Sequence, residues 1–224
     1  MLPEFYLPQS PLEVMMSQAP PTEPQKMRVF VDFWNFQLAL NSVAPNNYRP
    51  DWRALPKWLT ERTKDLVLSD PSERVQPDGV HVYISYNSRT EKGRNLHRWA
   101  TNVLARFPGF NVVCVERKAK GPPTCPSCHQ HIEDCPHCGG KIIRTIEKGI
   151  DTAIVTDIIT LALEDAWDVA VLVSSDRDFI PAVNYLAQKG HKVIHAGFPP
   201  AGMDLARACW ASIDIRTGLS DISR

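Results

Sequence analysis

The stretch WDVAVLVSSDRDFIPAVNYLAQKGHKVIHAG, residues 167–197, constrains the fold more than any other part of the chain. Val169 to Val173 form an unbroken apolar run, so the strand they predict is buried on both faces. A helical pattern follows over 178–189, and Gly190 ends it. HKVIHAG then reads as a second buried strand. Two strands joined through a helix pair in parallel, because a crossover of that length returns the chain to the same edge of the sheet.

The same alternation runs through most of the 224 residues. MRVFVDFWN predicts a strand over about 27–31 that opens into a helix near 34–42. Trp52 to Leu68 carry helical spacing, with Asp51 as a candidate N-cap. GVHVYISY and FNVVCVERK are β-rich segments, separated by a helical pattern over 90–106 that Pro108 and Gly109 stop. KIIRTI is a short apolar piece. Apolar residues recur at helical period from Gly149 to Ala166, and DLARACW and SIDIRT predict a last short helix and strand. The expected fold class is α/β: a three-layer sandwich with a mostly parallel central sheet, covered by helices on both faces. No internal repeat stands out.

Formal net charge is zero, so overall charge selects no partner class. Local charge is more informative. From Tyr86 to Lys120 there are eight Lys/Arg against two acids, Glu91 and Glu116, which reads either as a solvated helix face or as a cationic surface. No apolar run approaches the roughly 20 residues of a membrane span. Residues 1–26 hold six prolines and neither the basic nor the apolar region of a signal peptide. They read as an extended arm, a candidate contact for a protein partner, leaving 27–224 as the folded domain.

In a parallel sheet of this kind, ligand sites form beyond the carboxyl ends of the strands. Asp32 ends the first strand, with Asn35 three residues on; Asp176 and Asp178 follow the VAVLV strand; Asp151 opens the helix that feeds it. Asp151 alone reads equally as a helix cap, and so does one of Asp176 and Asp178. Asp32 is different, since Val31, Phe33 and Trp34 deprive its carboxylate of water. Carboxylates gathered at one edge repel one another unless a cation lies between them, and hard oxygen donors favour Mg²⁺ or Mn²⁺. Such an ion activates water for phosphodiester hydrolysis. No phosphate-cradling glycine loop is present, and no serine or cysteine has an evident base beside it.

The blocks VFVDFWN, KGIDTAIVTDIITLA and WDVAVLVSSDRDFIPAVNYLAQKGHKV, in that order, resemble the NYN domain family, the LabA-like branch of the PIN-like nucleases, from about Met27 to Asp214. That resemblance implies an acidic Mg²⁺- or Mn²⁺-binding pocket and RNA cleavage. By position, Asp32, Asp151 and Asp176 would be metal ligands, Asp178 a further ligand or a water-positioning acid, and Asn35 an orienting group. Lys148 would contact phosphate or stand in solvent. Asp157, six residues past Asp151 and so about 120° around the helix, would reach only the pocket rim or solvent. The family's acidic turn usually reads S-G-D; here Ser175 replaces the glycine, which keeps the acids but alters the backbone expected there. The alternative is an inactive member that binds RNA or acts as a scaffold.

Residues 121–141 interrupt the α/β order. TCPSCHQHIEDCPHCGG places Cys125 and Cys128 on one tight turn and Cys135 and Cys138 on another, the spacing of a tetrahedral Cys₄ zinc site. His129, His131 and His137 are competing ligands. A zinc-ribbon-like insertion with a closed structural Zn²⁺ is expected, and thiols kept for metal imply a reducing, cytoplasmic setting. Its basic flanks, Lys118, Lys120 and Lys148, together with Arg89, Arg94 and Arg98, form a candidate RNA-backbone groove.

Overall fold

The computed structural model describes residues 23–70, 73–142 and 144–224. Most of the expected N-terminal arm lies outside the described residues. The elements are β1 (Gln25–Asp32), α1 (Phe33–Val43), α2 (Ala54–Val67) and β2 (Val75–Tyr86), then α3 (Glu91–Asn102) and β3 (Phe110–Glu116). A short ribbon follows, β4 (Lys118–Lys120) and β5 (Arg144–Ile146), and then α4 (Ile150–Leu163) and β6 (Val169–Val173). The chain closes with α5 (Ile180–Gln188), β7 (Lys192–Gly197), α6 (Met203–Ala208) and β8 (Ala211–Asp214).

Six strands form one sheet in the order β3-β2-β1-β6-β7-β8, and every neighbouring pair is parallel. Strand alternation divides the apolar residues between its two faces. Val29 and Val31 of β1 join Phe36 and Leu40 of α1 and Leu55 and Leu59 of α2 in one core. Phe30, between them, faces the other core with Ile154 and Ile158 of α4 and Val183 and Leu186 of α5. Phe30 is fully buried, and its truncation to Ala would cost about 3–5 kcal/mol. The three-layer α/β expectation therefore holds.

The first half of the chain builds outward from β1 to β2 and β3. The second half starts again beside β1 with β6 and builds the other way. The order thus reverses between β1 and β6, and the crevice for a ligand opens beyond their carboxyl ends.

Two details differ from the sequence reading. Asp51 does not cap α2: its Oδ1 accepts from Arg53 N at 2.8 Å, a local turn, and the helix starts at Ala54. Residues 123–142 are also an internal repeat. PTCPSCHQHI and EDCPHCGGKI fold into two matching hairpins, in which His129 N donates to Cys125 O at 2.9 Å and Gly139 N to Cys135 O at 2.8 Å. In each hairpin the residue after the second cysteine has positive φ, His129 at 58° and Gly139 at 68°. The period of ten is easy to miss because only the C-P-x-C core and the closing isoleucine are identical. The hairpins stand on the antiparallel β4–β5 ribbon.

Candidate active site

Asp32 is both the last residue of β1 and the N-cap of α1, accepting from Asn35 N at 3.3 Å. Only 7% of its surface is exposed. Ser174, just past β6, donates from Oγ to Asp32 Oδ2 at 3.2 Å. The same Oγ accepts from Asp176 N at 3.2 Å. Asp176 then caps a single 3₁₀ turn by accepting from Asp178 N at 2.9 Å. Asn35 is fixed from the other side, its Oδ1 accepting from Ser175 N at 2.8 Å. One hydrogen-bonded lattice thus locks the β6 turn to the start of α1. It also gives the cap role to Asp176, with Asp178 exposed beside it.

Asp151 stands in the first turn of α4, whose N-cap is Gly149 at φ 98° with no side-chain cap bond. Its carboxylate is therefore not used up as a cap. Electrostatics tie the acids together. Burial pushes the Asp32 carboxyl up to about 6; the bonds from Asn35 and Ser174 oppose the rise, and the charges of Asp151 and Glu147 add to it. Burial likewise raises Asp151, with further contributions from Asp176, Glu147 and Asp178. Three chain segments thus place like charges within each other's field.

Glu147 directly follows β5, but so short a strand gives no clear signal in the sequence, and the residue lies just outside the recognisable KGID block. Arg117 Nη2 reaches it at 3.1 Å, Ser85 Oγ also donates to it, and Arg117 Nε donates to Ser85 Oγ at 3.0 Å. Asp157 is absorbed elsewhere: Tyr83 Oη donates to it at 2.7 Å, satisfying a fully buried tyrosine. The expected basic residues are all exposed. Arg94 is bonded to Ser88 O at 2.9 Å and Arg98 to Asn95, while Arg89 precedes α3, Lys118 and Lys120 lie on β4, and Lys148 precedes α4.

The far wall comes from the loop after β7. Gly202 has φ +75°, and a Cβ there would lie 2.9 Å from Ser175 Cα and 3.0 Å from His195 Nε2. Only glycine allows this approach. Beside it, a cleft of about 460 Å³ is lined by Asn35, Ser175, Asp176, Arg177 and Asp204, among others.

The hairpin cysteines form two pairs. Backbone N–H groups of Cys128 and Ser127 hold the Cys125 thiol below its ordinary value, and those of His137 and Cys138 do the same for Cys135. Among the described residues, no three His, Cys, Asp or Glu side chains stand together in a metal-holding arrangement. The acidic residues face one another at Coulombic rather than coordinating range. Carboxylate oxygens are the kind of donor Mg²⁺ takes, one or two directly with several waters kept. No helix among the described residues is long and apolar enough to cross a membrane.

A family model for the NYN domain matches residues 26–216, and the chain belongs to that family. A solved protein of unknown function from Vibrio parahaemolyticus superposes with a TM-score of 0.56 at 18% identity, over 92% of this chain and 100% of that one. That likeness concerns the fold. No curated protein matches the chain. Membership fits a PIN-like, nuclease-type fold related to nucleic acids.

Proposed function

We propose that the protein is a ribonuclease that hydrolyses RNA phosphodiester bonds with Mg²⁺ or Mn²⁺ at the β1–β6 crevice. The observation that carries this reading is the buried carboxylate of Asp32, pushed up to about 6 while facing Asp151 and Glu147. Burial supplies most of that rise and the charges of Asp151 and Glu147 add to it; a divalent cation would offset both.

Asp32, Asp151 and Asp176 are the residues to hold that ion, with Asp178 placing water at the exposed rim. The ion would supply an activated water and charge stabilisation at the phosphoryl oxygens. The chain's own groups supply orientation. Asn35, with Oδ1 already held by Ser175, has its amide N–H donors left for a substrate oxygen. Arg89, Arg94, Arg98, Lys118, Lys120 and Lys148 attract the phosphate backbone.

The repeated hairpins would bind one structural Zn²⁺ through Cys125, Cys128, Cys135 and Cys138, the four thiolates of a tetrahedral site. None of the six cysteines is in a disulfide, and cysteines kept for metal fit a reducing, cytoplasmic setting. A second reading, RNA binding without hydrolysis, draws on the spread of the acids at the crevice.

The test is incubation of a labelled RNA pool with wild type, with and without added Mn²⁺ or Mg²⁺. Products are expected only with the ion. No cleavage, or cleavage indifferent to the ion, contradicts the proposal.

A further inference from the structure

A second cavity, of about 500 Å³, opens on the β2 side of β1. Its size falls in the range of roughly 300–1,000 Å³ seen for small-ligand sites. Trp34, Gln37 and Asn41 of α1 form one wall, with Tyr86, Lys92 and Arg117 around the rest. Trp34 is held in place, its Nε1 donating to Ser85 O at 2.6 Å. The Arg117 guanidinium lies 5.4 Å from the Trp34 ring centroid. Gln37 Nε2 donates to Asn41 Oδ1 at 2.7 Å, which leaves a carbonyl on Gln37 and an N–H on Asn41 to face a ligand. At the mouth, Gly93 packs so tightly that a Cβ would lie 2.0 Å from Asn87 O, so the wall has a defined shape.

The cavity's lining residues tie it to the acidic centre. Trp34 is two residues past Asp32, and Arg117 and Ser85 both bond Glu147, whose charge is felt at Asp32 and Asp151. An indole face, a planar cation, paired carboxamides and a lysine suit a flat ring with polar edges and an attached phosphate. A free phosphate would gain nothing from the indole.

We propose that this cavity takes one unpaired nucleobase of the RNA next to the scissile phosphate, stacked on Trp34, with Lys92 and Arg117 toward its phosphate. The assignment rests on the ribonuclease reading. A base must leave its helix to enter, so single strands and loops are the substrates and paired RNA is not.

The test uses single-stranded RNA with its cleavage site mapped, and abasic nucleotides placed one at a time on either side of that site. Wild type should show KM raised about 5- to 150-fold at one flanking position, the effect of one lost base stack. Trp34→Leu should be insensitive to that abasic position, and Trp34→Phe should recover the sensitivity. Asn41→Ala, on the exposed side of α1, should change the base preference at that position. Normal cleavage with no abasic-sensitive position in wild type, or unchanged preference in Asn41→Ala, overturns the cavity assignment and leaves the nuclease reading standing. No cleavage by wild type overturns both.

Discussion

Ser174 Oγ donates to Asp32 Oδ2 at 3.2 Å, joining the ends of two adjacent parallel strands across 142 residues of sequence. The bond favours the charged carboxylate and partly offsets the burial that disfavours it. Ser174→Ala removes that donor and also leaves Asp176 N unpaired. Stability should fall by about 1–2 kcal/mol. Asp32 should then ionise at higher pH, moving the acid limb of the cleavage–pH profile upward. A pH–rate series on the variant checks it.

Asp32 itself trades stability for charge. Its folded value, about 6, lies above the ordinary 3.8. Its favourable contribution is therefore full below about pH 4 and is lost as pH rises through 6, a difference of about 3 kcal/mol. Without divalent ions, Asp32→Asn should be more stable than wild type at pH 8, and the gap should close toward pH 4. Added Mn²⁺ should stabilise wild type and not the variant. Urea unfolding across this pH range measures both.

Gly202 sets the far wall by contact with the backbone of Ser175. A Cβ placed 2.9 Å from Ser175 Cα, on a residue at φ +75°, cannot be absorbed by a side-chain movement. Gly202→Ala should cut cleavage at least tenfold by shifting the turn that carries Asp176, while the parallel sheet persists. Single-turnover rates beside far-UV circular dichroism separate the two effects.

If the hairpin pair holds zinc as proposed, it depends on that metal, because a segment this short buries no core of its own. Metal analysis should find one zinc per chain. Cys128→Ser should release the zinc and expose the 121–141 amides to hydrogen exchange, with the protection of β1 and β6 unchanged. Retention of a full zinc, or unfolding of the sheet, would contradict this account.

The sheet was legible because its strands are continuously apolar and its helices are periodic, so chain order alone dictated a parallel α/β plan. Asp32, Asp176 and Asp178 were legible for the same reason: each follows a strand that could be read. Glu147 was not, since its place depends on the β4–β5 ribbon carrying the chain back to Arg117 and Ser85. Asp157 shows the converse. Angular position on α4 gave only the pocket rim or solvent, whereas the carboxylate bonds Tyr83, a partner 74 residues away that no helical count reveals. The cap was assignable to one of two acids, and the bond from Asp178 N to Asp176 Oδ1 fixes which.

The most direct measurement compares wild type with Asp176→Asn on one labelled single-stranded RNA in Mn²⁺, reading cleavage rate and RNA affinity together. The variant keeps an oxygen to accept from Asp178 N but loses the charge. The account predicts cleavage reduced at least a hundredfold with RNA affinity within about threefold of wild type, the loss expected when transition-state stabilisation goes and ground-state binding stays. Equal cleavage by the two proteins would contradict it.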